Sequence, residues 1–313
     1  MPFRTIPCIA VFVPALLALS CAGAPSPHPG EPAGAEILTL GAFAFERTAS
    51  RELSEGVRWD AYEADRPRRQ TVHIVSIAAA AIGPSGDWKA LVLVGSDPDG
   101  EGPAEASLRD PLETAADADA LVLVNANGFF FLGDSGPRDP EFPYREGRPV
   151  DIHGLAVESG TLRSEAMAGA ANLCIGRNGR VTIGVCAGAY QAVSGYGALI
   201  LGGTIVSEPG GPRHPRTAAG ITADGSLLLV VADGRSFALG PGLTLEELSD
   251  IFLDLDCVDA INLDGGGSSV LVLGDASGGH RIVNKPSDTG FPRYALRPVP
   301  VAFAVVPAEP SAP

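Results

Sequence analysis

Short apolar runs, each ended by a turn signal, recur along the chain and constrain its fold more than any other feature. Ser159-Gly160, Asn178-Gly179, Gly202-Gly203 and Asp224-Gly225 each separate two such runs, which is the pattern of a β-hairpin. The chain also contains 39 Gly and 27 Pro, a composition typical of strands and turns and unusual for a helical bundle. We therefore predict an α+β fold in the form of one β-rich domain, with mixed sheets and a few flanking helices.

Two segments carry helix signals. The segment 110–118 opens with an Asp N-cap, a Pro at the first helical position and a Glu that closes a capping box. The segment 244–255 opens with a Thr and a Glu in the same spacing, and its apolar residues share one face. Because the second helix follows strand 227–231 and precedes strand 258–263, we expect a parallel crossover there.

The first 21 residues have the pattern of an export signal. Arg4 supplies a positive charge, and residues 9–19 form an apolar core that is too short to span a bilayer comfortably. Ala18-Leu19-Ser20-Cys21 resembles a lipoprotein cleavage box, which predicts a lipid anchor on Cys21; the alternative is an ordinary cleaved signal peptide. We expect an exported protein anchored to a bacterial membrane in the cell envelope, or else a secreted one.

The remaining chain divides by composition. Residues 22–52 are predicted to form a Pro/Gly-rich tether and a first strand, 53–307 the folded domain, and 308–313 a disordered tail.

Three cysteines lie in the predicted domain. Cys174 and Cys186 flank the turn at Asn178-Gly179, and export permits a disulfide between them. A two-residue turn would place Cys174 opposite Ile183 instead, so the sequence leaves this pairing open. With Cys257 as the third, at least one thiol stays free.

The formal net charge of −15 argues against binding to nucleic acid. An anionic substrate would need a local cluster of Arg. The five His are scattered, and no Cys-x-x-Cys or His-Glu-x-x-His motif occurs, so we predict no metal site and no cofactor. The oligomeric state stays open.

One stretch combines strands with unusual chemistry. Asp264 is followed by three Gly and two Ser, with an apolar run on each side. Successive backbone N–H groups in such a turn can bind an anion, and Asp264 would add a carboxylate at a strand end. The alternative is a loose hairpin loop between edge strands.

Three other stretches place polar residues beside predicted strands. Arg213–Thr217 forms a positive patch in an acidic chain, Asp233-Gly234-Arg235 ends a strand with a carboxylate, and Asn125–Phe131 adds amides and aromatic rings. A solvated basic turn, a simple Asp-Gly turn and aromatic core packing are the respective alternatives.

These stretches together resemble the phosphodiester glycosidase family, in order and spacing, over roughly residues 56–306. The segments that carry the resemblance are Asn125–Phe130, His214–Gly220, Asp233–Arg235, the helix at 243–255, Asn262–Ser269 and Val283–Ser287.

The resemblance implies hydrolysis of a sugar–phosphate diester at the anomeric carbon, on a phosphorylated glycan. It implies Asp264 as nucleophile or base, Asp233 as second carboxylate and Arg216 as phosphate ligand. The implied substrate-binding residues are Asn125, Asn127, Phe129, His214, Thr217, Asn262, Gly265, Gly266, Gly267, Ser268, Ser269 and Asn284. Two alternatives are a non-catalytic lipoprotein that binds cell-wall glycan and a phosphodiesterase that cuts the P–O bond.

Overall fold

Antiparallel strands form most of the protein in the computed structural model, which describes residues 37–132, 144–275, 277–289 and 296–308. The first strands are β1 Ile37–Leu40, β2 Phe43–Ser54, β3 Val57–Ala64, β4 Gln70–Ile77, β5 Trp88–Val94, β6 Ala106–Ser107, β7 Val122–Asn125, β8 Phe129–Phe131, β9 Pro149–Ile152, β10 Ala156–Glu158 and β11 Thr161–Ser164. They continue as β12 Ala171–Ile175, β13 Val181–Ile183, β14 Gln191–Gly195, β15 Gly197–Leu201, β16 Thr204–Ile205, β17 Arg216–Thr222, β18 Leu227–Ala232, β19 Cys257–Asn262, β20 Leu271–Gly274, β21 His280–Ile282 and β22 Val301–Pro307. The helices are α1 Ala79–Ile82, α2 Pro111–Asp117 and α3 Leu245–Asp254.

The strands form four sheets. Their orders are β1-β2-β3-β4-β18-β17-β19-β15-β16, β11-β10-β14-β12-β13, β21-β20-β7-β22-β5 and β6-β9-β8. Strand pairs within the described residues are antiparallel, so the expectation of mixed sheets is wrong. Because strands far outnumber helices in these residues, the protein is mainly β. Most neighbours in the large sheet are joined by short turns, and a short turn can only join antiparallel strands.

The connection through α3 joins two parallel strands, as predicted, but these strands are not adjacent in the sheet. β18 and β19 run in the same direction, but β17 lies between them and pairs with both. Strand β17 therefore supplies the hydrogen bonds that a parallel pair would have made, which the sequence of this segment alone did not reveal.

The predicted turns fall between strands as expected, with one change of register. At Asn178-Gly179 the bond from Gly176 N–H to Arg180 O closes a loop of three residues rather than two, and Cys174 therefore pairs with Thr182 rather than with Ile183. The chain then carries Cys186 back to Cys174, and the two form a disulfide with their Cα atoms 5.3 Å apart. Cys257 is free and buried.

Both predicted helices form where their caps indicate. The Asp110 carboxylate accepts the N–H groups of Leu112 and Glu113 at the start of α2. Thr244 and Glu247 form the complete capping box of α3. Because these bonds satisfy N–H groups that a helix start leaves open, the two helices begin at fixed residues.

Three apolar layers hold the elements together. The main core lies between the inner face of the large sheet and the other sheets, around residues such as Val75, Ile261 and Phe303. A second core joins the opposite face of the large sheet to α3, and a third packs α2 on the sheet that contains β7 and β20. The large sheet is therefore covered on both faces, and polar residues concentrate where its strands end.

The predicted signal peptide, Cys21 and most of the tether lie outside the described residues. Within them, none of the helices has the length and apolar content that a bilayer crossing requires.

Candidate active site

The glycine run is a connection between two sheets. The strand before it, β19, belongs to the large sheet, whereas the strand after it, β20, pairs with β7 in another sheet. The alternative of a hairpin loop is therefore wrong. The chain must turn sharply at this point, and it does so in a short 3-10 turn at Gly266–Ser268.

Asn125, at the end of β7, holds both ends of this connection. Its Nδ2 donates to Asp264 O at 2.6 Å, and its Oδ1 accepts Val270 N–H at 3.1 Å and the Thr217 hydroxyl at 2.7 Å. Asn125 and Thr217 are both fully buried. Their hydrogen bonds go to groups of the protein, and their side chains do not reach the surface. Asn125 and Thr217 therefore position Asp264 and do not contact a substrate.

Each of the three glycines is required by a close neighbour. A Cβ on Gly265 would lie 2.7 Å from Pro215 O, and one on Gly267 would collide with the Arg297–Asp288 ion pair. Gly266 has a φ of +65°, and a Cβ there would lie 3.1 Å from Arg235 Nη2. The predicted close approach to the backbone is therefore made by the protein's own groups.

The amides of the run are largely used within the protein. Gly266 N–H donates to Pro215 O, and the N–H groups of Ser268 and Ser269 bond back to Gly265 O and Gly266 O. Gly265 N–H bonds to the Asp264 carboxylate. The row of open amides expected from the sequence is therefore absent for these four residues.

The Asp264 residue is partly exposed, and its carboxyl group has an unusual environment. Burial raises the pKa of Asp264 to about 6, against the opposing effects of the Ser268 hydroxyl, the Arg297 charge and Gly265 N–H. The carboxylate is thus ionised at neutral pH yet basic enough to accept a proton. Such a group suits a nucleophile or a general base.

Aromatic side chains border Asp264. Tyr196 is half exposed, and burial, then the charge of Asp264, raise its pKa to about 12. Its ring lies 4.4 Å from the ring of His153. Phe129 packs edge-on against Tyr144, and the guanidinium of Arg297, which acts on Asp264, lies 3.8 Å from the centre of the Tyr144 ring.

Asp233 lies in a buried network and is only 2% exposed. Its Oδ1 accepts Lys285 N–H at 2.9 Å and Asn284 Nδ2 at 3.3 Å, and its Oδ2 lies 3.5 Å from His73 Nε2. Asn284 also accepts Leu271 N–H at 2.8 Å and donates to Ser269 O at 3.1 Å. Asp233 and Asn284 therefore hold the far end of the glycine run in place.

Two arginines and a histidine meet beside the run. Arg235 Nη2 lies 3.3 Å from His214 Nδ1. Burial, then the charges of Arg235 and Arg216, lower the pKa of His214, and burial, then Arg235, lower that of Arg216. Neither arginine forms an ion pair with a carboxylate of the described ranges. Such uncompensated positive charge favours an anionic ligand.

Arg235 is the site residue that sequence reasoning missed. Arg216 spends its Nε on Leu243 O at 2.9 Å and one Nη on Pro212 O at 3.0 Å. The exposed guanidinium against the glycine run is that of Arg235. The Asp-Gly-Arg motif contains a carboxylate and an arginine, and in an acidic chain the arginine is the stronger indication of an anion site.

Three predicted ligand residues keep unused polar atoms. Asn127 Oδ1, Asn262 Oδ1 and Ser269 Oγ are buried and have no hydrogen-bond partner in the described part of the chain. Buried polar atoms are rarely left unpaired, so each of these three has capacity for a further hydrogen bond. The described residues contain no group of three His, Cys, Asp or Glu that could hold a metal ion.

A family model described as phosphodiester glycosidase matches residues 119–306, more than half of the chain. The chain belongs to the phosphodiester glycosidase family. The match includes every site residue discussed above except His73.

Curated relatives match over one short segment. A prophage-derived protein of Bacillus subtilis strain 168, YomE, is 44% identical over 57 residues, or 18% of this chain and 9% of the relative. The mouse N-acetylglucosamine-1-phosphodiester alpha-N-acetylglucosaminidase is 47% identical over 58 residues, or 18% of this chain and 11% of the mouse protein. The matched segment thus spans about a tenth of each relative's length.

The similarity extends further in the solved structures of phosphodiester glycosidase relatives. The catalytic domain of the zebrafish N-acetylglucosamine-1-phosphodiester alpha-N-acetylglucosaminidase, auto-inhibited by its pro-peptide, superposes with a TM-score of 0.60. The alignment covers 87% of this chain and 88% of that domain at 20% identity. This similarity establishes the fold.

Proposed function

We propose that this protein hydrolyses the bond between an anomeric carbon and a phosphate in a phosphorylated glycan, with Asp264 as the reacting carboxylate. The observation that carries the proposal is the position of Asp264. Asp264 is a partly exposed residue with a pKa near 6, and it precedes a glycine run whose other flank carries Arg235, which pairs with no carboxylate of the described residues.

The chemistry needs one carboxylate and one anion site. As the C–O bond breaks, positive charge develops on the sugar and negative charge on the departing phosphate monoester. Asp264 stabilises the sugar and either attacks the anomeric carbon or removes a proton from the attacking water. The water oxygen ends on the sugar, and the bridging oxygen leaves with the phosphate. Because phosphate is a good leaving group, a second carboxyl group acting as an acid is not required.

The departing phosphate would be bound by the cationic side of the site. Arg235 offers an open guanidinium, whereas Arg216 has part of its donor set available, and His214 lies between them. Preorganised donors at this point stabilise charge that appears only as the bond breaks. Asn127, Asn262 and Ser269 are candidates for hydrogen bonds to sugar hydroxyls.

We also propose, from residues 1–21, that the protein is exported and anchored through a lipid on Cys21. Mass spectrometry of the mature protein should find a diacylglyceryl-modified Cys21 at its N-terminus. An unmodified N-terminus beyond Cys21 would contradict the anchor and leave a secreted protein.

The direct test uses an alkyl diester of N-acetylglucosamine 1-phosphate, the sugar in the names of the curated relatives. The wild-type protein should release reducing sugar and alkyl phosphate, and Asp264→Asn should lose at least about 100-fold in rate. Saturable binding without product release by the wild-type protein would instead support a glycan-binding lipoprotein.

A further inference from the structure

The loop that follows Arg235 presents an aromatic ring to solvent next to the cationic side of the site. Phe237 is fully exposed, although it is among the most apolar residues of the chain. A single exposed apolar residue needs no explanation, but this one lies two residues from the guanidinium assigned to phosphate.

Residues 235–240, called here the 235–240 loop, have a hydrogen-bonded backbone on both sides of Phe237. Ser236 and Gly240 exchange two backbone hydrogen bonds of 3.1 and 2.9 Å, and Ser236 Oγ accepts the N–H groups of Ala238 and Leu239. Arg235 has a φ of 54°, which turns the chain as it enters the loop. The exposure of Phe237 is therefore a property of a hydrogen-bonded loop.

Arg69 supports the loop from one side and adds charge. Its Nη1 donates to Ala238 O at 3.3 Å, and its own carbonyl lies where a Cβ on Gly240 would stand. Its nearest carboxylate is that of Asp65, at 3.3 Å, and both side chains are more than half exposed. Exposed pairs of this kind contribute little, so Arg69 can exchange Asp65 for another anion.

The neighbouring arginines are less available. Arg68 and Arg213 both pair with Glu247, at 2.6 and 2.9 Å. Among the described residues, Arg235, at the start of the 235–240 loop, and Arg69, on its flank, are thus the cations with the most freedom to bind a ligand. An aromatic ring between two such cations matches a chain in which sugars alternate with phosphates, because sugar faces stack on rings and phosphates pair with guanidinium groups.

We propose that the 235–240 loop is a subsite for the leaving-group side of the substrate, and that the substrate is a glycan with repeated phosphodiester links. This inference rests on the proposed function, in which Arg235 binds the phosphate at the cleaved bond. In this arrangement the sugar binds beside Asp264 and Tyr196, and the part of the substrate beyond the phosphate extends past Arg235 towards Phe237. Phe237 stacks on the next sugar, and Arg69 pairs with the next phosphate.

The test compares binding of two ligands to the Asp264→Asn protein by calorimetry. One is a monomeric alkyl diester of N-acetylglucosamine 1-phosphate, and the other is a trimer of the same sugar joined by phosphodiesters. The trimer should bind about tenfold more tightly, since a stacking contact and a charged pair each contribute a few-fold. In Phe237→Ala or Arg69→Gln, combined with Asp264→Asn, this ratio should fall to about threefold or less.

Two exposed residues elsewhere serve as matched controls. Leu201→Ala removes an exposed apolar side chain from β15, and Arg109→Gln removes an exposed arginine paired with Asp117. Both should keep the tenfold ratio. A ratio near one in the parent protein, an unchanged ratio in both loop variants, or an equal loss for both ligands would overturn the subsite.

The outcome is separable from that of the proposed function. If the wild-type protein hydrolyses neither ligand while the trimer preference and its loss persist, the subsite stands and the enzymatic proposal fails. If Phe237→Ala abolishes binding to phosphatidylglycerol vesicles and leaves the trimer preference unchanged, the loop contacts membrane and the inference is wrong.

Discussion

The two ends of the glycine run contain carboxylates in opposite situations. Asp264, at the start, is partly exposed, and burial has raised its pKa to about 6. Asp233, near the other end, is 2% exposed and accepts two N–H groups. Both carboxylates accept hydrogen bonds, but the Asp233 residue is enclosed in the core, whereas the Asp264 residue reaches the surface and has a raised pKa, as reactive carboxylates often do. The comparison assigns chemistry to Asp264 and positioning to Asp233.

The same substitution at both carboxylates tests their different roles with the largest expected effect. Asp264→Asn should lower kcat by at least about 100-fold, because an amide can neither attack nor take a proton. Asp233→Asn should chiefly lower the free energy of unfolding, by about 1–3 kcal/mol, because its oxygen can still accept from Lys285 and Asn284 while its NH₂ group is buried beside His73 Nε2 in place of Oδ2. Steady-state kinetics and urea unfolding measure the two effects. A stable but inactive Asp233→Asn protein would return Asp233 to the chemistry.

The next effect concerns the two arginines. Arg235→Gln should reduce kcat/KM by about 10–100-fold, the value of one charged hydrogen bond to phosphate. Arg216→Gln should reduce it less, because two of its donors already bond to backbone carbonyls. Arg109→Gln is the control in the same assay. If Arg216 proves the more costly loss, the assignment of the principal phosphate ligand is reversed.

The pH dependence sharpens the role of Asp264. If the ionised form reacts, kcat/KM rises with pH up to an apparent pKa of about 6. Below that pKa it should fall about tenfold per pH unit. An activity that instead declines as the pH rises through 6 would mean that the protonated acid reacts. Initial rates across this range, at fixed ionic strength, distinguish the two.

The smallest effect is on stability. Folding raises the pKa of Asp264, so the folded protein is most stable while this carboxyl group is protonated. That contribution to the free energy of unfolding is fully present below the unfolded pKa and is lost as the pH rises through about 6. Asp264→Asn should therefore be more stable than the wild-type protein by up to about 3 kcal/mol near pH 8, and equal near pH 3. Thermal unfolding at the two pH values measures this. A variant that is less stable at both would show that the carboxylate is not under strain.

The sequence predicted the local parts of the fold and less of their assembly. The caps at Asp110 and Thr244 and most of the turn dipeptides act within a few residues, so their patterns were sufficient. The insertion of β17 between β18 and β19, and the passage of the glycine run from one sheet to another, depend on contacts between distant segments. No local pattern encodes them.

The candidate site shows the same division. The sequence brought Asp264, His214 and Arg216 into one hypothesis, and the structure packs the backbone of Pro215 and Arg216 against Gly265, the residue that follows Asp264. It could not separate Asn125 and Asn284, whose amides bond to backbone and side-chain groups of the protein, from Asn127 and Asn262, whose oxygens have no partner among the described residues. Residue type is the same in all four, and only tertiary hydrogen bonding distinguishes them.

In the proposed mechanism Asp264 directs cleavage at the anomeric carbon, and an oxygen isotope from water shows which bond is cut. Hydrolysis of the alkyl diester of N-acetylglucosamine 1-phosphate in water that carries a heavy oxygen isotope should place the label on the sugar and none on the phosphate. Mass spectrometry of products quenched early reads both. Label in the phosphate would mean that the P–O bond is cut, and would contradict the account.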